Sequence, residues 1–320
     1  MADRQYEIAV VGAGPAGLTA ALYAGRAMKR TLLLEAGLPG GELLNTEAIE
    51  DYPGFASITG PELASKMTEH ALSFGAELVT ARVTSITPQA DGWHRIEVEE
   101  QDPFFARAVI LTAGGQPRKL GIPGEQEFAG RGVSYCAVCD GAFFRGEHLA
   151  VVGGGDAALE EAAFLTRYAS KVTVIHRRGD FRAQTLLVER ARQNPKLEFL
   201  MDSVVEEIVG DQSRVVSLRL RRVPDGMQSD FPVGGVFIFV GFIPNTGLLT
   251  VHADHDPQSY YLTDANMQTS VPGIFAAGDV RAQLTRQVTT AVGDGTTAAI
   301  AATKYVEEGA AEPQLAGAIS

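Results

Sequence analysis

The chain of 320 residues has two cysteines, Cys136 and Cys139, three apart in SYCAVCDGAFF, with Asp140 directly after the second. Two thiols at that spacing exchange electrons as a dithiol and disulfide, supply half of a zinc site, or pack as small apolar side chains. Zinc needs two more ligands. There is no second Cys-x-x-Cys, and His70, His94, His148, His176, His252 and His255 include no pair at the His-x3-5-His spacing. The surrounding Ser, Gly and Asp suit a turn better than a core strand, so redox exchange leads. Asp140 is then the nearest group able to hold the proton that thiol chemistry moves, set against the plainer role of a turn-forming Asp.

Something must deliver electrons, and two glycine-rich stretches point to nucleotides. YEIAVVGAGPAG is an apolar strand running into Gly12-x-Gly14-x-x-Gly17, followed by LTAALYAGRA with the composition of a helix. That order lets backbone N–H groups and a helix N-terminus meet a pyrophosphate. The next strand, TLLLE, ends in Glu35, an acceptor for a ribose diol, so this unit suits an adenosine without a 2'-phosphate. EHLAVVGGGDAALEEAAFL repeats the pattern as Gly153-x-Gly155-x-x-Ala158, and KVTVIHRR ends its following strand at His176. Gly12 to Gly153 and Glu35 to His176 are both offsets of 141, which implies a duplicated fold. In place of an acid, the second copy carries His176, Arg177 and Arg178, with Arg182 a turn later. Guanidinium groups there suit a 2'-phosphate, so the ligand pair expected is FAD and NADPH.

Length favours two domains. GGQPRKLGIPG and FIPNTG are Gly/Pro-rich crossings, so the expected organisation is an FAD domain of residues 1–117 plus 247–320, with an NADPH domain of 118–246 inserted in it. The fold class is α/β, two Rossmann-like (three-layer ββα) nucleotide-binding domains. The net charge of -12 argues against nucleic acid or an anionic membrane as a partner. The charge is uneven: residues 119–246 carry 15 Lys+Arg against 16 Asp+Glu, leaving 12 against 23 for the flanks. No apolar run reaches membrane-spanning length, and the N-terminus enters a strand pattern without a cleavage signal, so a cytoplasmic enzyme is expected. Near the C-terminus VPGIFAAGDV reads as a strand ending in Gly278 and Asp279. That carboxylate either bonds a sugar-alcohol chain or only caps the helix that follows.

With GAGPAG, CAVCD, GGGDAALE, HRRGDFRA and GIFAAGDV in this order, the chain resembles the low-molecular-weight, bacterial-type thioredoxin reductases over almost its whole length. The resemblance implies a homodimer, one FAD per subunit, NADPH as donor and thioredoxin as substrate. By that likeness Gly12, Gly14, Gly17 and Glu35 hold the adenosine end of FAD. Gly40 and Gly41 border the flavin, Asp279 holds the ribityl chain, and Arg286, Gln287 and Val288 line the isoalloxazine ring. Ala13, Pro15, Ala16, Ala36, Glu42, Leu43, Asn45, Ala113, Gly114 and Gly278 complete the FAD set. NADPH falls to Gly155, Asp156, Ala157, Ala158, His176, Arg177, Arg178 and Arg182. Cys139 is the sulfur that meets the flavin and Cys136 the one that attacks substrate, with a rotation of one domain against the other between the two tasks.

The chain departs from that pattern at Glu42, where Gln is common, and at Thr112-Ala113-Gly114, where Ala-Thr-Gly is common. Val138 stands for Thr and Asp294 for Ala. Three other readings compete. A thiol oxidase would pass electrons to oxygen and need no HRRGDFR run. A nucleotide-sensing regulator would bind FAD yet turn over slowly. A reductase of another redoxin or small disulfide would carry the same motifs. Arg131 and Arg145 flank the cysteines as candidates for meeting an acidic partner, or as ordinary solvated charges.

Overall fold

In a computed structural model, residues 4–46 and 48–316 are described, the side chains of 310–316 excepted. The chain folds as two compact units, residues 1–116 with 243–320, and residues 117–242.

The first unit is built on four parallel strands, β1 (Gln5–Val11), β2 (Thr31–Glu35), β3 (Glu77–Thr80) and β6 (Phe104–Leu111), in the order β3-β2-β1-β6. An antiparallel ribbon, β4 (Val83–Pro88) and β5 (His94–Val98), adds to β6 through β5. The late strand β17 (Ile274–Ala276) pairs parallel with β6 over Val109–Leu111. Strands β1, β2 and β6 bury apolar runs at residues 8–11, 32–34 and 108–111 because both faces of the sheet are covered there. Ile8, Val10, Leu33 and Ile110 pack against helices α1 (Pro15–Arg26) and α6 (Val288–Ala316). The alternate residues Ala9, Val11, Leu32, Leu34 and Leu111 pack against Ile86, Ile96 and Val98 of the ribbon. That is a ribbon, a sheet and a helix layer, with period-2 side chains separating the two cores. A further helix, α2 (Gly60–Ser73), is capped by the Thr59 hydroxyl, which accepts from Glu62 N.

The second unit repeats the plan on a smaller scale. Its parallel strands β9 (His148–Gly153), β10 (Lys171–Ile175), β11 (Leu197–Leu200), β15 (Gly235–Phe239) and the two-residue β8 (Val133–Ser134) run in the order β11-β10-β9-β15-β8. Leu149, Val151, Val172, Val174 and Phe237 face α3 (Ala137–Asp140), α4 (Asp156–Leu165) and α5 (Thr185–Gln193). Ala150, Val152, Ile175, Val236 and Ile238 face an antiparallel meander of β12 (Ser203–Gly210), β13 (Val215–Arg222) and β14 (Gln228–Pro232). Where the chain crosses between units, β7 (Gly115–Pro117) and β16 (Phe242–Pro244) pair as a two-stranded ribbon.

Candidate active site and nucleotide sites

Cys136 and Cys139 are joined in a disulfide with Cα atoms 5.4 Å apart. The bridge spans the single turn of α3, where Cys136 is the N-cap and its Sγ accepts from the Cys139 backbone N–H at 3.1 Å. A donor so placed favours thiolate over thiol once the bond opens. Cys139 is exposed and Cys136 half-buried. The backbone leading to Cys136 is tied down on both sides. Tyr135 donates its hydroxyl to Glu125 Oε1 at 2.7 Å, and the same buried carboxylate accepts from the N–H groups of Leu120 and Gly121. Burial together with that carboxylate pushes the Tyr135 hydroxyl well above its ordinary range. On the other side, Asp140 Oδ2 accepts from the Ser134 hydroxyl at 2.6 Å. After Asp140 the chain turns through Gly141–Phe144, whose Phe143 is 83% exposed. Arg131, by contrast, spends its guanidinium on the carbonyls of Glu127 and Gln212, and Arg145 stacks over Tyr168.

In the first unit β1 runs into the turn at Gly12 and Gly14, and α1 starts at Pro15 and Ala16. Gly12 has φ +105°, and a Cβ there would sit 2.5 Å from Thr112 O; one at Gly17 would sit 1.8 Å from Gly12 O. Neither Gly12 nor Gly17 has room for a Cβ. Gly14 caps α1 without a side-chain bond, so the leading N–H groups of the helix have no side-chain cap. Glu35 Oε2 accepts from Ala13 N at 2.7 Å and Oε1 from Gly37 N at 2.9 Å, which fixes the carboxylate beside exposed Ala36 and leaves lone pairs for a diol. Gly40 N donates to Ala13 O, and a methyl group on Gly41 would come within 3.1 Å of Gly14 Cα, so the two glycine turns face each other. Leu43 and Val288 share one small apolar cluster, and Asn45 donates to Glu42 Oε2 at 3.2 Å. Desolvation pushes the Glu42 carboxyl up, and Asn45 opposes it. Asn245 binds both Ala113 O and Gly114 O.

Asp279 follows Gly278 at the end of β17. Desolvation lifts its carboxyl to about 6 against the pull of Arg286, with the negative charges of Glu42 and Asp294 adding to the rise. No hydrogen bond to its carboxylate is made by the described residues, an arrangement that suits hydroxyl donors from a ligand. Arg286 lies 3.9 Å over the Tyr260 ring, and Gln287 N donates to Thr290 at the start of α6.

In the second unit, Gly155 caps α4 with open space where a Cβ would be, followed by Asp156, Ala157 and buried Ala158. Asp156 is engaged by the main-chain N–H and side-chain amide of Gln184. Arg177, Arg178 and Arg182 are exposed and make no ion pair among the described residues. Three unneutralised guanidinium groups beside an uncapped helix start fit a phosphorylated nucleotide. His176 is placed differently from its neighbours. It is 5% exposed, stacks on Phe181, and packs where a Cβ on Gly154 would collide with its ring at 2.2 Å. Burial holds the imidazole below its ordinary range.

The departures from the common motif have local reasons. Thr112 Oγ1 lies 2.7 Å from Gly12 O and 2.9 Å from Val11 O, so its single proton ties the end of β6 to the first glycine turn through either carbonyl. Asp294 accepts from Gly278 N at 3.1 Å and pairs with Arg281 at 3.2 Å, so it braces the turn that carries Asp279. Nothing in the structure explains Val138.

Two duplicated dinucleotide-type units and a disulfide one helical turn long define a nucleotide-dependent disulfide oxidoreductase. The chain belongs to the pyridine nucleotide-disulphide oxidoreductase family, whose model matches residues 6–295. It is 49% identical to a thioredoxin reductase of Listeria innocua over 306 residues, 96% of this chain and 95% of the relative, and 47% identical to that of Bacillus subtilis over 96% of each. Among solved structures it is similar to Lactococcus lactis thioredoxin reductase, with a TM-score of 0.92 and 46% identity over 95% of this chain and 99% of that one.

Proposed function

We propose that this chain is a thioredoxin-disulfide reductase that moves electrons from NADPH through FAD and the Cys136–Cys139 disulfide to oxidised thioredoxin. The observation that carries the reading is the disulfide on a turn of the unit that also presents Arg177, Arg178 and Arg182 without counter-charges. FAD, when bound, supplies the two-electron relay between nicotinamide and disulfide. Gly12, Gly14, Gly17 and Glu35 hold its adenosine end, with Asp279 at the ribityl chain and Arg286, Gln287 and Val288 toward the ring. Arg177, Arg178 and Arg182 hold the 2'-phosphate of NADPH, and His176 supports the loop from inside.

Opening the disulfide takes two electrons and leaves two sulfurs that share one or two protons. Asp140 holds or gives up a proton beside them. Cys136, its sulfur facing a backbone N–H, attacks one sulfur of the substrate disulfide, and Cys139 then displaces the reduced product and restores the internal bond. Exposed Phe143 beside the pair offers an apolar contact to a protein substrate, which favours a redoxin over a small disulfide. Homodimer assembly and a cytoplasmic site of action belong to the same reading, supported by the likeness to bacterial relatives. Among the described residues no helix is long and apolar enough to cross a membrane.

The test is NADPH consumption by the FAD-loaded protein with oxidised thioredoxin. Turnover that needs thioredoxin and vanishes in Cys136→Ser supports the assignment. Oxygen-dependent thiol oxidation that persists in Arg177→Ala/Arg178→Ala would favour the oxidase instead.

A further inference from the structure

Ser134 is a buried hydroxyl, 4% exposed, at the end of β8, and three polar atoms of the redox turn converge on it. Cys136 N donates to Ser134 Oγ at 3.1 Å. Ser134 Oγ lies 2.6 Å from Asp140 Oδ2 and 3.1 Å from Cys136 O. A hydroxyl has one proton and two acceptor sites, so it cannot serve both oxygens at once. With Asp140 ionised, the proton goes to the carboxylate, the shorter and charge-assisted bond. With Asp140 protonated, the carboxylic acid donates to Ser134 Oγ, and the serine proton turns to Cys136 O. Cys136 O also accepts from Asp140 N at 3.2 Å, so it keeps a donor when the serine proton turns away, and no heavy atom has to move between the two states.

We propose that Ser134 is a positioning residue for Asp140: a hydroxyl rotor that lets this acid alternate between its two protonation states while Cys136 stays fixed. The inference rests on the reading of Asp140 as the proton carrier. In the exchange step the Cys136 thiolate forms a bond to one sulfur of the substrate disulfide, and that disulfide breaks. The departing sulfur takes the bonding electron pair and then the proton from Asp140 Oδ2. Ser134 rotates from Cys136 O to the new carboxylate. The next reduction of the Cys136–Cys139 bond takes two electrons and one proton from NADPH as hydride and one proton from solvent; one of the two protons returns to Asp140, the other stays on Cys139 for the second departing sulfur, and the hydroxyl turns back. Buried unpaired polar groups are costly, so without the rotor one of the two states is penalised.

The experiment is a pH–rate profile of thioredoxin reduction for the FAD-loaded wild type, Ser134→Ala, Ser134→Thr, Asp140→Asn and the Ser134→Ala/Asp140→Asn pair. NADPH-driven flavin bleaching serves as the folding control. Ser134→Ala is expected to lower kcat about tenfold with KM for thioredoxin unchanged. The change of profile in Ser134→Ala should be confined to the limb that disappears in Asp140→Asn, because only that limb depends on the acid Ser134 positions. In the Asp140→Asn background the same alanine should cost less than about twofold, since only one state remains to be served. Ser134→Thr, which keeps the hydroxyl, should keep the limb in place. If the alanine variant fails the bleaching control, Ser134→Gly carries the same comparison. A wild-type profile in Ser134→Ala, or an equal loss with and without Asp140, overturns the rotor. Full turnover in Asp140→Asn overturns the proton-carrier reading and the rotor with it.

Discussion

The two strand–turn–helix units share a backbone plan and differ at the residues directly after the second strand of each. At the end of β2 stands Glu35, whose carboxylate is clamped by Ala13 N and Gly37 N and keeps a negative edge beside the glycine turn. After β10 stands His176, an uncharged ring packed inward on Gly154, followed by two exposed arginines. One unit spends its strand-end residue on fixing a charge in place. The other spends it on packing and leaves the charges to the next two residues. In the proposed reading the same fold separates an adenosine without a 2'-phosphate from one that carries it, through side chains rather than backbone.

The largest effect is expected at the disulfide that both nucleotide units serve. Cys136→Ser or Cys139→Ser should lower thioredoxin-dependent turnover by about a thousandfold or more. NADPH should still bleach the flavin in both variants, as stopped-flow absorbance would show. In the basic unit, Arg177→Ala/Arg178→Ala should raise KM for NADPH about a hundredfold and leave KM for NADH nearly unchanged, because only the 2'-phosphate loses its donors. Equal losses with both nucleotides would mean that the arginines support the loop rather than read the phosphate. In the acidic unit, Glu35→Ala should weaken FAD about tenfold to a hundredfold by releasing two backbone donors along with the ribose acceptor. Glu35→Gln, which keeps an oxygen, should lose less when FAD affinity is titrated.

An effect of comparable size, read in stability rather than in activity, is expected at Asp279. Its folded carboxyl sits at about 6, above the ordinary 3.8. Below about pH 4 both folded and unfolded chains carry the proton, and no cost arises. Between about pH 4 and 6 the unfolded chain ionises first, and above 6 the buried charge opposes folding in full. Asp279→Asn should therefore stabilise the flavin-free protein by about 2 to 3 kcal/mol above pH 6 and not at all below 4, read as Tm against pH. A gain independent of pH would remove the electrostatic explanation.

Much of this was legible in the sequence because it is local. Glycines at fixed spacing between an apolar strand and a helical run need no tertiary contact to be read, and Cys136 and Cys139 are near enough for one turn to join them. The placement of His176 was not read from the motif, although a signal existed. Gly154 occupies a free position between Gly153 and Gly155, and the structure shows that position emptied to admit the imidazole. Ser134 left no such trace. A serine two residues before a cysteine has no periodicity or spacing rule, and it reaches Asp140 only because α3 folds the acid back over one turn. Glu125 was hidden for a similar reason: its three donors come from Leu120, Gly121 and Tyr135, brought together by a loop with no repeating pattern. Thr112, read as a departure, proved to be a bond between two strands that only the folded sheet makes neighbours.

The most direct test of the central claim is to count thiols through a single turnover. FAD-loaded protein treated anaerobically with NADPH and then alkylated should gain two labels, on Cys136 and Cys139. Prior addition of excess oxidised thioredoxin should move the labels to thioredoxin. Bleached flavin with both cysteines unlabelled would show that electrons do not pass through this disulfide, and the account would fail at its centre.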